Sequence, residues 1–296
     1  MHRKIKMVDF ITPSASKRHL EITIFQLFVV SIGYFSHSNF SAINIGFLYL
    51  LIGTLFISAS ACILNHVLEA DYDALMQRTA QRPIVTKKIQ AKEAIIGAAL
   101  LCAIASVFLL LVNEATFFIA VLTLLLYVYV YTPLKRKTWL NTFVGGIPGS
   151  LPILGGWLAF RVSVSAEVWF LMLILFLWQI PHFFALALLY EQDYKQAGFK
   201  MISKSNQSLK MIDRQIFLYL ILLLFSVLLP LATLQYGLLY VFLTIGSVLF
   251  CFKRFFMYQK SPSDKCLKTF FLSTVLFVPC WIIALIMDQL FFIAIL

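Results

Sequence analysis

The stretch Asn65-His66-Val67-Leu68-Glu69-Ala70-Asp71-Tyr72-Asp73, continued by Arg78-Thr79-Ala80-Gln81-Arg82-Pro83, sets three acids and then two arginines directly behind an apolar run that begins near residue 43. If the helix of that run continues, Asn65, Glu69 and Asp73 fall at i, i+4 and i+8 and share one face, whereas Asp71 points well away from it. An amide oxygen and two carboxylates stacked in this way can hold a hard divalent cation. Magnesium in particular is usually bound by one or two carboxylates together with the phosphates of a substrate. Arg78 and Arg82 are again four apart, and guanidinium groups match phosphate oxygens in bidentate fashion. The plainer alternative is a charged loop after a solvated helix end. Acids clustered at a membrane face weigh against it.

A second acidic end follows the same logic. Trp178-Gln179-Ile180-Pro181-His182-Phe183-Phe184 lies within an apolar run, and Tyr190-Glu191-Gln192-Asp193-Tyr194 closes it. His182, Tyr190 and Asp193 share a helix face if Pro181 only kinks the chain. Both acidic ends lie at helix C-termini, where the negative end of the backbone dipole favours a bound cation. Lys195, Lys200 and Lys204 come next and read first as a solvated positive loop. Between the two ends, Lys135-Arg136-Lys137 forms a basic hairpin. The segment after it combines Gly145, Gly149, Gly155 and Gly156 with Pro148 and Pro152. Gly and Pro are tolerated at membrane depth where neighbours or a cavity satisfy the backbone, so this segment is expected to form one wall of an intramembrane pocket.

These groups must be carried by membrane helices. Of the 296 residues 61% are hydrophobic and only 12% are charged, with 29 Phe, and a soluble globule of this size would leave much of that surface in water. Runs near 20–37, 43–65, 94–112, 116–132, 142–160, 167–190, 215–234, 236–252 and 270–294 approach or reach the roughly 20 apolar residues that a spanning helix needs. The expectation is an all-α polytopic membrane protein with nine transmembrane helices. Residues 1–19 would form a cytoplasmic N-terminal segment and 20–296 a single membrane domain. A polar start and the absence of a small-residue cleavage site argue that the first run is retained as a helix.

Orientation follows from the basic residues. The N-terminal segment and the loops after helices two, four, six and eight carry 5, 5, 3, 5 and 5 of the 24 Lys and Arg, and only Arg161 lies on the other side. The positive-inside rule places the N-terminus and these loops in the cytoplasm and the C-terminus outside. The net charge of +11 therefore belongs to one face. It suits anionic lipid headgroups and phosphorylated substrates and gives no argument for nucleic acid. The five cysteines form no C-x-x-C motif and read as small packing residues. Among the histidines, His2, His19 and His37 lie near segment ends and read as solvated, while His66 and His182 stand beside charged clusters. The last three helices carry almost no ionisable residue except Asp288, and are expected to serve packing and substrate enclosure.

Two acidic helix ends on one membrane face, basic loops beside them and an apolar interior describe a site for a diphosphate head with a hydrocarbon tail. Ionising an allylic diphosphate puts negative charge on the leaving group, where metal and cations stabilise it, and leaves a carbocation that must be kept from water. The chemistry indicated is electrophilic prenyl transfer.

The stretch from Asn65 to Asp73 with Arg78-Thr79 and Arg82-Pro83 resembles the first aspartate-rich motif of the UbiA superfamily of intramembrane prenyltransferases. Within it, three further stretches are similar to the protoheme IX farnesyltransferases, or heme O synthases. They are Tyr131 to Thr138 with Asn141-Thr142; Gly145-Gly146-Ile147-Pro148-Gly149 with Pro152; and Trp178 to Phe183 through Asp193-Tyr194 and Ala197-Gly198. The likeness covers roughly residues 20 to 290. This chain has Glu69 where the family usually has aspartate, which keeps the carboxylate on a longer arm. Phe199-Lys200-Met201 also lacks the proline commonly found before that methionine.

The resemblance implies a UbiA-type intramembrane prenyltransferase bundle that moves a farnesyl group from farnesyl diphosphate to the 2-vinyl group of protoheme (heme b). Water adds to give the hydroxyethylfarnesyl side chain of heme O, which serves terminal oxidases directly or after conversion to heme A. By carry-over, Asn65, Glu69 and Asp73 hold Mg2+ and diphosphate, Asp71 and Asp193 assist, with Asp193 joining the metal set, and Arg78, Arg82, Lys135 and Arg136 meet the diphosphate. His182 is the first candidate for contact with heme, through its imidazole and the aromatic residues beside it. Its alternative role is a hydrogen bond to a carbonyl freed by Pro181. His66 and Tyr190 are further acceptor candidates. The implied partners are the two substrates, the lipid bilayer of the inner cell membrane, and heme A synthase or terminal oxidase assembly. Two other functions compete: a UbiA-type enzyme acting on an aromatic or quinone precursor, and a transporter using the buried polar groups as an ion path. The bland last three helices lack the charges such a path needs.

Overall fold

The structure, a computed structural model, describes residues 13–36, 43–161, 163–204, 208–233 and 236–295. His2, His37 and most of the N-terminal segment lie outside the described residues. Nine long helices account for most of the described chain: α1 Pro13–Phe35, α2 Ile45–Asp73, α3 Ala91–Val112, α4 Glu114–Leu134, α5 Asn141–Phe160, α6 Ala166–Leu189, α7 Leu209–Ser226, α8 Leu238–Lys260 and α9 Asp264–Ile295. Eight of them, α2 to α9, carry segments long and apolar enough to cross a membrane, and α1 adds a shorter apolar stretch, Glu21–Phe35. Each of the nine expected runs falls on one helix, and no strand occurs among the described residues.

Short polar caps set the helix starts. The Asn44 side chain accepts from the Phe47 N–H at the head of α2, and Gln90 with Glu93 forms a capping box on α3. Asn113 ends α3 and accepts from the Thr116 N–H, so one residue suffices to turn the chain into α4. Asp288 does the same work from a distance. Its carboxylate on α9 accepts from the N–H groups of Gly237 and Tyr240 at 2.6 and 3.1 Å, supplying the start of α8 with an anion.

Several helix ends depart from the apolar runs. α2 continues through Asp73, α7 begins at Leu209, α8 reaches Lys260 and α9 starts at Asp264. Hydropathy marks where the bilayer ends, whereas a helix continues through Lys, Gln and Glu because those straight-chain residues favour it. α7 stops at Ser226, short of the expected 234. Pro230 lacks the N–H that the Ser226 carbonyl would need, and Leu229–Thr233 tightens to a 3-10 turn. α6 continues through Pro181, but it ends at Leu189. Tyr190 leaves the helical region at φ −113°, ψ 28°, and a separate short helix, Glu191–Gln196, follows. His182, Tyr190 and Asp193 therefore do not share one helix face. Gly198 at φ 72° then closes the short helix, with Phe199 N–H reaching the Tyr194 carbonyl.

α6 is the most enclosed of the eight candidate spans among the described residues, and it packs against α5, α7 and α9. α1 crosses α5 with backbone against backbone. A Cβ on Gly33 would lie 1.9 Å from the Ile153 carbonyl oxygen, and one on Gly156 would lie 1.9 Å from that of Val30. Side chains occupy the space at three further glycines of α5, Tyr131 at Gly145, Phe176 at Gly146 and Gln179 at Gly149. This face was expected to line a pocket. The structure packs it against helices, because glycine lets backbones approach as readily as it opens space. All five cysteines are unpaired.

Candidate active site

The long reach of α2 decides the site. Because the helix runs through Asp73, Asn65, Glu69 and Asp73 line one stripe, with relative exposures of 6, 4 and 0%. Asp71, on the other side, is exposed. His66 is also buried on this helix.

Each member of the stripe is held by a partner from another segment or from beyond the helix end. Lys135 Nζ donates to Glu69 Oε1 at 2.9 Å, and Arg82 pairs with Asp73 Oδ2. Asn65 Nδ2 donates to Thr132 Oγ1 at 3.1 Å, while Thr132 Oγ1 donates to the Tyr127 carbonyl at 2.9 Å. Thr132 has one hydroxyl proton and spends it on Tyr127, so it can only accept from Asn65, which turns the Asn65 amide oxygen outward. Thr132 owes its place to a π-helical turn, Leu126–Tyr131. Pro133 cannot donate to the Tyr129 carbonyl, and the helix widens there. The Tyr131 ring lies 4.7 Å beneath the Lys135 ammonium. Burial alone would lower the Lys135 pKa, but Glu69 and the neighbouring tyrosines outweigh it and hold the ammonium above the usual lysine value.

Two arginines complete the face. Arg78 lies over the rings of Tyr190 and Tyr194, 4.7 and 5.1 Å from their centres, and its Nη2 donates to the Tyr194 hydroxyl at 3.2 Å. Arg136 stacks 4.0 Å over Tyr72 and donates to the Leu68 carbonyl. Neither is in an ion pair with a described carboxylate. The Nε of each is buried and without a hydrogen-bond partner, as is Asp73 Oδ1. Each of these two donors and this anionic acceptor is costly to leave buried without a partner, and a ligand could complete them.

The loops after α2, α4 and α6 meet on this face. Besides the Arg78–Tyr194 contact, Lys200 N–H donates to the Lys135 carbonyl at 2.7 Å. A cavity of about 200 Å³ opens beside them, lined by Glu191, Tyr194, Lys195, Lys200, Met201 and Ser203 among others. Lys195, Lys200 and Lys204 are exposed, as a solvated loop would have them. Asp193 is half-buried on the short helix, and among the described residues no hydrogen bond or ion pair joins it to the α2 acids.

Among the described residues, no three His, Cys, Asp or Glu side chains converge closely enough to enclose a metal by themselves. The donor set still fits magnesium in its usual protein setting. Two carboxylates and an outward amide oxygen share a stripe, one carboxylate oxygen is unpartnered, and a phosphate would supply the other ligands.

His182 stands apart, at the contact of α6 with α9. Its Nδ1 lies 3.0 Å from Thr274 Oγ1, and the rings of Trp178 and Phe271 stack on it, each with centres 4.9 Å away. Its partner is thus a hydroxyl on another helix, not a carbonyl freed by Pro181. Sequence reasoning passed over Thr132, Tyr72 and Thr274. The Thr132-Pro133 pair after a run of tyrosines was the only local sign of the first, and nothing local marks Thr274.

The sequence model of the UbiA prenyltransferase family matches residues 26–287. A protoheme IX farnesyltransferase from Cytophaga hutchinsonii is 32% identical over 248 residues, covering 81% of this chain and 85% of that one. One from Bacillus licheniformis is 39% identical over 170 residues, covering 57% of this chain and 55% of the other. The alignment thus spans little more than half of the Bacillus relative. The structure of a digeranylgeranylglyceryl phosphate synthase superposes with a TM-score of 0.75 at 18% identity, covering 92% of this chain and 99% of that one. A UbiA homologue from Archaeoglobus fulgidus bound to GPP and Mg2+ superposes at 0.65 with 16% identity, covering 90% and 97%. The chain belongs to the UbiA prenyltransferase family.

Proposed function

We propose that this UbiA family member transfers the farnesyl group of farnesyl diphosphate to the 2-vinyl group of heme b, giving heme O. The observation that carries the diphosphate half is the pair of ring-stacked arginines, Arg78 and Arg136, whose buried Nε–H groups lack partners beside an ion-paired acidic stripe. The names of the relatives support heme as acceptor.

In this reading Arg78 and Arg136 take phosphate oxygens, while Lys135 and Arg82 stand over the same head and keep the carboxylates oriented. Asn65, Glu69 and Asp73 hold Mg2+, with Asp193 approaching from the short helix. The bound ion would neutralise the diphosphate and stabilise it as leaving group. The allylic C–O bond breaks with its electron pair going to diphosphate. The farnesyl cation takes the vinyl π pair to form the C–C bond, and water adds to the resulting cation with loss of a proton. The apolar helices exclude bulk water until that last step. His182 holds the acceptor.

The same reading puts the site face in the cytoplasm of the inner cell membrane, with the N-terminus on that side and the C-terminus opposite. Residues 20–296 act as one domain, and the product passes to heme A synthase or terminal oxidases. Incubating the purified protein with farnesyl diphosphate, Mg2+, heme b and an aromatic acid in competition, followed by mass spectrometry, tests it. A farnesyl-plus-water adduct of heme is expected. Exclusive prenylation of the aromatic acid would replace the proposal with the other UbiA chemistry.

A further inference from the structure

Thr274 on α9 holds two residues of α6 at once. Its carbonyl accepts from Trp178 Nε1 at 2.6 Å, and its hydroxyl lies 3.0 Å from His182 Nδ1. That hydroxyl is also 2.6 Å from the Phe271 carbonyl. A carbonyl carries no proton, so two oxygens this close require the threonine proton between them. With its proton spent, Thr274 Oγ1 can only accept from the imidazole. Neutral His182 must therefore carry hydrogen on Nδ1 and a lone pair on Nε2. Trp178 and Phe271 both stack on the ring, inclined by 25 and 29°. Nε2 has no hydrogen bond to a described residue, and it is not among the sealed polar atoms of the interior. A ring stacked by two aromatic side chains and held at Nδ1, with no described partner on the Nε2 lone pair, is the arrangement by which a second residue orients a histidine toward a metal.

We infer that Thr274 is a positioning residue for the acceptor: it fixes His182 in the Nδ1–H tautomer and presents Nε2 to heme iron. The inference rests on the reading of His182 as the heme contact and adds what sets its direction. The full-length protein titrated with ferric heme b provides the test, read by the Soret band and by affinity. His182→Ala should shift the band and weaken binding. Thr274→Val should do likewise, by roughly 10- to 100-fold in affinity as for other groups that orient a ligand. Thr274→Ser should restore both, and magnesium-dependent binding of farnesyl diphosphate should persist in each variant. A shifted band in His182→Ala with a wild-type spectrum and affinity in Thr274→Val would overturn the role of Thr274 and leave the heme reading intact. No change in His182→Ala would overturn both. The unsubstituted chain supplies a check independent of folding: in protein labelled with nitrogen-15 histidine, His182 should be protonated at Nδ1, and an Nε2–H tautomer would refute the inference.

Discussion

Lys135 Nζ and Glu69 Oε1 lie 2.9 Å apart, joining the hairpin after α4 to the acidic stripe of α2 across 66 positions of sequence. Both side chains are largely removed from solvent, at 15 and 6% exposure, so neither charge is easily left alone. Lys135→Met should therefore lower stability by roughly 3–5 kcal/mol, the range for stripping one partner from a buried pair. Lys135→Met combined with Glu69→Gln should recover most of that loss without recovering turnover. Thermal unfolding in detergent checks the pair. A fully additive double variant would mean that the two residues do not interact.

The stripe itself predicts a ranking. Glu69→Gln and Asp73→Asn keep shape but remove anionic oxygen, and each should lower kcat on the order of 10²- to 10³-fold, as for loss of one preorganised electrostatic group. Both proteins should remain inserted. Asp71→Asn should have a smaller effect, because that side chain is exposed on the other side of α2. Turnover measured with saturating magnesium decides. A largest effect at Asp71 would show that the stripe is not the metal-binding face.

Arg78 rests on the rings of Tyr190 and Tyr194 and also donates to the hydroxyl of Tyr194. Lysine cannot reproduce that planar fork, so Arg78→Lys should raise KM for farnesyl diphosphate by about 10-fold or more, in line with the loss of a charged hydrogen bond. Tyr194→Phe removes only the hydroxyl and should have a smaller effect of the same sign. Titration with a non-hydrolysable farnesyl diphosphate analogue measures both directly.

Gly156 and Gly33 set how closely α1 approaches α5. Gly156→Ala places a methyl where the Val30 carbonyl now sits, so the helices must part. Destabilisation of about 1–3 kcal/mol is expected, the usual range for overpacking. Gly246→Ala in α8, where a Cβ meets nothing within 4 Å, serves as the control and should not lower the unfolding temperature, since alanine favours a helix more than glycine does.

The basic loops should be accessible from the cytoplasm at 66–92, 132–141, 191–214 and 253–268. Contacts already bring the first three to one face, through Lys135 with Glu69, Arg78 with Tyr194, and Lys200 with Lys135. Labelling of single cysteines placed at exposed Lys137 and Lys195 in sealed cells fixes the side. Reaction from the outside would invert the orientation and move the site with it.

The sequence alone determined the membrane class, the nine helices and the acidic stripe. Each depends on near neighbours: runs of apolar residues long enough for a bilayer, and side chains four apart that must share a helix face. The cations at 78, 82, 135 and 136 were legible for the same reason, as charge clusters at helix ends. Which partner each group meets depends instead on how the helices pack. Pro133 widens a turn and so places Thr132 against Asn65. The break at Tyr190 moves Asp193 off the face of His182 and sets the Tyr190 and Tyr194 rings against Arg78. The glycines of α5, which would serve a cavity or a close crossing equally well, were assigned to crossings by the helices that fill them. Thr274, separated from His182 by 92 positions, meets it only because α9 packs on α6. Periodicity fixes the face on which a residue lies, and the packing of whole helices fixes what that face touches.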